Sequence, residues 1–152
     1  MKTGFGEAPA PFVSASQSAR VVTESWAEQN MFCPSCGRDR LQKFRANRPV
    51  ADFFCEECGE EYELKSQSKA FGKRVADGAY DSKIERLLSD NAPSLILLRY
   101  DRHRRCVQNL KVVPKHFFRP TTIERRRPLG SEARRAGWIG SNILLDRILP
   151  SG

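Results

Sequence analysis

The segment Asp52-Phe-Phe-Cys-Glu-Glu-Cys-Gly-Glu-Glu-Tyr-Glu-Leu-Lys65 carries two kinds of chemistry at once. Its second half alternates, with Tyr62 and Leu64 on one face and Glu61, Glu63 and Lys65 on the other. That period of two marks a strand with one polar face. Its centre is the pair Cys55 and Cys58, followed at once by Gly59. A short strand over Pro49 to Phe54 runs into this pair. The segment therefore reads as a hairpin with a cysteine knuckle as its connection, which sets Asp52 beside Glu63.

A matching pair, Cys33-Pro-Ser-Cys36, lies eighteen residues upstream and is followed by Gly37. Two Cys-x-x-Cys knuckles at this separation fit a four-thiolate zinc site, bounded by residues 33 and 58. Each glycine suits a tight turn that aims backbone N–H groups at sulfur. The alternatives are two disulfides, which a cytoplasmic chain disfavours, and a redox Cys-x-x-Cys, which would not come as two knuckles. A four-cysteine zinc has no open coordination position, so its role is structural. Cys106 is left over and reads as an unpaired core or hairpin thiol.

Outward from the hairpin the chain follows an α/β order. Met1 to Val13, with Gly4, Gly6, Pro9 and Pro11, reads as an irregular arm. Residues 14–152 form one domain, with length enough for a single core. Ser14 to Asn30 repeats Ala15, Ala19, Val22 and Trp26 at helical spacing, which makes Trp26 a core residue. Asp81 caps a short predicted helix that buries Ile84, Leu87 and Leu88. Ser94 to Tyr100 (SLILLRY) is a continuous apolar run of the kind found in strands covered on both faces. A charged hairpin at Asp101 to Arg105 joins it to Val107–Val113, and Pro114 opens a further short element. Gly137 to Leu149 holds one more strand. The expected class is a mixed sheet flanked by helices, with the cysteine unit inserted. No apolar stretch approaches the ~20 residues of a membrane span, and Met1 to Gln17 lacks a signal-peptide core, so a cytoplasmic location is expected.

The net charge of +8 is concentrated. Arg99 to Arg135 contains twelve Lys or Arg against three acidic residues, a local charge of +9, and the rest of the chain sums to −1. A surface that attracts polyanions through counterion release is built this way, with Arg125, Arg126 and Arg127 as its densest loop. The plainer alternative is a solvated basic face with no partner.

Asp52 and Glu63 on neighbouring strands would repel each other unless a divalent cation lay between them. Lys65, two residues past Glu63, projects to the same side and can orient a metal-held water or stabilise charge on phosphate. These are the parts that phosphodiester hydrolysis needs. On spacing alone, a solvated strand face with an incidental salt bridge explains the pattern as well. Glu60 and Glu61 compete with Glu63 as ligands, and Glu24 on the first helix is a further metal or water contact to consider.

The stretches Arg48-Pro-Val-Ala-Asp-Phe53, Glu61-Tyr-Glu-Leu-Lys-Ser66, Asp77-Gly-Ala-Tyr80 and Ala133-Arg-Arg-Ala-Gly-Trp-Ile-Gly140, together with the cysteine pairs, resemble the DpnI family of methyl-directed restriction endonucleases. The resemblance runs from about residue 16 to residue 143. It implies a PD-(D/E)xK nuclease fold with a built-in zinc site, cutting both DNA strands at GATC when the adenine carries an N6-methyl group. By the same resemblance Asp52, Glu63 and Leu64 would hold Mg²⁺, Lys65 would be the catalytic lysine, and Cys33, Cys36, Cys55 and Cys58 would hold Zn²⁺. The proline of the motif name is displaced, since Pro49 stands three residues before Asp52. The Arg134-Arg135-Ala-Gly-Trp138 segment is expected to read the methylated base, the arginines on phosphate or guanine edges and Trp138 as a flat face for the methyl group. A core role for Trp138 is its rival. The family's C-terminal winged-helix domain has no counterpart before Gly152, so a truncated fragment, the product of a disrupted gene or a natural short form is expected; the resemblance also implies binding as a monomer. Two competing functions are a non-catalytic zinc-containing DNA-binding module and a same-fold nuclease serving repair.

Overall fold

The computed structural model describes residues 2–6, 15–45 and 51–148. Residues 7–13 of the expected arm, Ser14, Arg48, Pro49 and Val50, and Leu149 to Gly152 lie outside the described residues. The remaining elements are helices α1 (Ala15–Asn30) and α2 (Tyr80–Leu87) and eight strands. The strands are β1 (Gln42–Lys43), β2 (Phe53–Phe54), β3 (Glu61–Gln67), β4 (Arg74–Ala79), β5 (Ser94–Asp101), β6 (Cys106–Val113), β7 (Ile123–Arg125) and β8 (Gly140–Leu144).

The first sheet has the order β1-β2-β3-β5-β6 and is mixed, because β3 and β5 run parallel. Its centre is the SLILLRY run, whose alternate residues feed two cores. Ile96 and Leu98 pack with Trp26, Phe53 and Tyr62 under α1, while Leu95 and Leu97 pack with Val75, Ile123 and Ile143 on the opposite side. Burying each such Leu or Ile contributes about 1.5–3 kcal/mol. This explains why β5 has no polar face.

The second core is roofed by a three-stranded antiparallel sheet, β4-β8-β7, which the sequence pattern does not separate from the first. The mixed α/β class holds, with a second sheet added. Consequently the polar face of β3 is not solvated. Glu61 and Glu63 are both buried, beneath the second sheet and α2.

Helix α1 is pinned to β3 by the Thr23 hydroxyl, which shares a 2.9 Å hydrogen bond with Ser66. Trp26 is in the core as expected, and its indole N–H donates to the Lys2 carbonyl. Residues 2–6 are tied to the β5–β6 hairpin by Phe5 N–H to Arg105 O and Val107 N–H to Thr3 O.

Helix α2 differs from its predicted form. Ala79 occupies the N-cap and Asp81 sits inside the first turn, where it favours the positive helix end without capping it. Ile84 and Leu87 pack on the second core, but Leu88 falls past the helix end and is 69% exposed. The fully covered residue is Lys83. The reason is that this stretch of α2 faces buried carboxylates as well as apolar side chains.

Candidate active site

The two cysteine pairs form one cluster, with all four Sγ atoms within 4.8 Å of one another. Cys33 and Cys58 sulfurs are 3.7 Å apart and those of Cys36 and Cys55 are 3.6 Å apart. Four sulfurs at about 2.3 Å from a tetrahedral zinc would stand about 3.8 Å from each other, so the donor set and its geometry fit that ion. Both knuckles close in the same way: Gly37 N–H donates to Cys33 O and Gly59 N–H to Cys55 O, each glycine at a positive φ near 80°. Backbone N–H groups of Ser35 and Cys36 face the Cys33 sulfur. Burial alone would raise the Cys33 thiol, but these groups and the Tyr62 hydroxyl, 3.2 Å away, hold it down to about 7.

The knuckle positions the hairpin. Phe53 pairs with Tyr62 and Phe54 with Glu61, and the Asp52 N–H donates to Tyr62 O. Beyond Phe53 the ladder ends, and there the Asp52 side chain takes over, its Oδ2 accepting the Leu64 N–H at 2.8 Å. Strand geometry sends the Leu64 carbonyl to the same open edge. Asp52, Glu63, Leu64 and Lys65 then line a single cleft of about 540 Å³, with Arg20 and Ala19 of α1 on one wall and Asp77 and Gly78 of β4 on the other. Burial pushes the Asp52 carboxyl up, against the Leu64 hydrogen bond that favours its charge. The Arg20 guanidinium approaches Asp52 Oδ1 at 3.7 Å.

Two residues had no assigned role in the sequence: Asp77 lines the cleft, and Lys83 is buried behind it. Asp77 binds Lys65 Nζ through Oδ1 at 3.0 Å and Lys83 Nζ through Oδ2 at 3.0 Å. Lys83 also reaches Glu63 Oε1 at 3.1 Å. Burial pushes Glu63 up to about 8 despite the Lys83 charge, with Asp77 adding to the rise. Asp77 is held below the usual carboxylate range: burial opposes its charge, but Lys83 and Lys65 overcome that. Lys65 is raised against its burial by Glu63 and Asp77, so it remains an ammonium ion. Asp77-Gly-Ala-Tyr80 was visible as a motif. Lys83 carried no signal, since a lysine on a helix is ordinarily exposed.

The other carboxylates named from the sequence have ion-pair partners, and Glu24 shares its partner Arg20 with Asp52. Glu61 pairs with Arg86 of α2 and Glu60 with Lys115 at 2.9 Å. Glu24 is held by Arg20 at 2.8 Å and Lys43 at 3.0 Å. Cys106 opens β6 as a free, half-buried thiol.

The basic loops grow from the second sheet. Asp77, Ser141 and Arg125 are register partners across β4, β8 and β7, so they share one row and one face. Arg125, Arg126 and Arg127 are exposed, with Arg125 5.9 Å from the Tyr80 ring. Arg134 and Arg135 are exposed on the loop before β8, and Trp138 is half-buried with the Arg135 guanidinium 4.9 Å from its ring. The indole lies over Gly140, where an added Cβ would stand 2.7 Å from Trp138 Cζ3. No helix among the described residues is long and apolar enough to cross a membrane.

The sequence model of the DpnI family, described as a Dam-replacing family, matches residues 7–152. That span includes every cleft residue, the four cysteines and both arginine loops. The chain therefore belongs to the DpnI family of restriction enzymes, whose substrate is DNA.

Proposed function

We propose that this protein is a Mg²⁺-dependent endodeoxyribonuclease of the PD-(D/E)xK class, which hydrolyses double-stranded DNA at GATC sites with N6-methylated adenine. One observation carries the chemistry: Asp52, Glu63 and Lys65 converge in one cleft, with Asp52 fixed by the Leu64 N–H. Asp52, Glu63 and the Leu64 carbonyl are hard oxygen donors that fit Mg²⁺, which when bound supplies a water of lowered pKa and polarises the phosphate. Zn²⁺ in the cysteine cluster keeps the two strands in place.

The chain's own residues do the rest. Lys65, kept protonated by Glu63 and Asp77, acts as a fixed positive charge beside the scissile phosphate and does not serve as a general base. Arg20, at the cleft mouth, offers a guanidinium to the DNA backbone. Arg125 lies two strands from Asp77, about 10 Å by strand spacing, close enough to hold a neighbouring phosphate while Lys65 faces the reacting one. Trp138 and the arginines around it supply the surface for reading the methylated base.

The test uses two plasmids that differ only in adenine methylation at GATC. With Mg²⁺, the methylated plasmid is expected to be cut and the unmethylated one spared, and Lys65→Ala should lower the rate by about 10²–10³-fold. Binding without cutting by zinc-loaded protein would leave a DNA-binding module instead. Cutting of both plasmids would remove methyl selectivity and favour a nuclease with another biological role.

A further inference from the structure

Lys83 is the one buried lysine or arginine among the described residues. Its ammonium bridges two carboxylates, Glu63 Oε1 at 3.1 Å and Asp77 Oδ2 at 3.0 Å, with the Phe118 ring 5.9 Å away. Lys83 donates a hydrogen bond to Glu63 Oε1 and lies within ion-pair distance of Asp77 Oδ2. A cation fixed between two carboxylates occupies a place that a metal ion could otherwise take.

Two-metal nucleases place their ions about 3.5–4 Å apart and share carboxylates between them. Were Glu63 the carboxylate shared between two ions, the second would lie between Glu63 and Asp77. Lys83 Nζ already stands there. Charge balance agrees. Once Glu63 has given up its proton to bind metal, the carboxylates of Glu63 and Asp77 are cancelled by Lys65 and Lys83, and Asp52 leaves one negative charge. One divalent ion turns that to a single positive charge, and a second would leave an excess of three in a buried site, which is costly at low dielectric.

We propose that Lys83 is a positioning residue that fills the cation position between Glu63 and Asp77, so that no second divalent ion binds there and the centre takes one. The inference rests on the reading of Asp52 and Glu63 as metal ligands. It also accounts for Asp77, which anchors Lys65 and is not a metal ligand.

Titration of the zinc-loaded full chain with Mn²⁺, read by the electron paramagnetic resonance of free Mn²⁺, tests this directly. The expected stoichiometry is one for the wild type and for Lys83→Arg, and two for Lys83→Met, where Glu63 and Asp77 face each other with no ammonium between them. Zinc content and a cooperative thermal transition establish that each variant is folded, and Lys83→Gln replaces Lys83→Met if the latter is not. Two ions in the wild type overturn the inference whatever the variants do, and so does one ion in a folded Lys83→Met. Absence of Mn²⁺ binding by the wild type would instead remove the metal reading of Asp52 and Glu63, and this inference with it.

Discussion

The Asp52 carboxylate accepts the Leu64 N–H at 2.8 Å, at the point where the β2–β3 ladder runs out. One side chain thus completes the backbone pairing of a strand and faces the cleft that the strand lines. These duties separate by mutation. Asp52→Asn keeps an oxygen for the Leu64 N–H and should fold normally while losing divalent-ion affinity and DNA cleavage. Asp52→Ala loses both, and the unpaired N–H should cost about 1–3 kcal/mol of stability. Urea unfolding of the two variants checks this; equal stability would mean that the hydrogen bond contributes nothing.

The pH dependence follows from Glu63. Its carboxyl is held up to about 8 by burial, so without Mg²⁺ the folded protein keeps a proton that the unfolded chain releases. The sign is therefore that of a raised carboxyl: stability of the zinc-loaded protein without Mg²⁺ falls as pH rises from about 4.5 toward 8. Metal affinity should rise over the same window, because the proton must leave before Glu63 can act as a ligand. Calorimetry in buffers of different ionisation heat is expected to show about one proton released per ion bound near pH 7. No release would place Glu63 in its charged form already.

Zinc removal should unfold the protein, because the ion's binding free energy becomes folding free energy. A strong chelator is expected to abolish the cooperative thermal transition. Tyr62→Phe makes a finer probe, since it deletes the hydroxyl beside the Cys33 sulfur and little else. Loss of such an outer hydrogen bond typically weakens metal affinity about 10–100-fold. Zinc-loaded Tyr62→Phe should still cut DNA at close to the wild-type rate. An unchanged zinc affinity would separate Tyr62 from the metal site.

Trp138 and Gly140 should behave as one unit. A methyl group at residue 140 would meet the indole at 2.7 Å, so Gly140→Ala must displace Trp138 or the strand beneath it. Overpacking of this kind costs about 1–3 kcal/mol. Gly140→Ala and Trp138→Ala are expected to reduce discrimination between methylated and unmethylated plasmid while zinc content stays unchanged. Equal discrimination in both variants and the wild type would move base reading to another part of the molecule.

What could be read from the sequence was what rests on spacing and period. The cysteine pairs, the alternation of Glu61 to Lys65 and the apolar run of β5 each follow from a local rule. Strands β4 and β7 follow from no local rule. Arg74–Ala79 buries only Val75 and contains Asp77 and Gly78, so its extended form comes from pairing with β8. The same limit hid the ion pairs behind the cleft. Asp52, Glu63 and Lys65 stand close in sequence, whereas Asp77 and Lys83 reach them through a second sheet and a helix. The burial of Lys83 depends on carboxylates that only the tertiary fold brings to it.

Strand β3 has a vulnerability that its neighbours share in lesser degree. A shift of one residue against β2 would turn Tyr62 and Leu64 toward the cleft and bury Glu63 and Lys65 in the apolar core. Hydrogen bonding alone opposes such a shift weakly, because β2 offers only two paired residues. The knuckle opposes it strongly, since Cys55 and Cys58 cannot move by one position and still meet Cys33 and Cys36. The cysteine cluster therefore works as a counting device: it fixes the register of the strand, and so which side chains face the cleft.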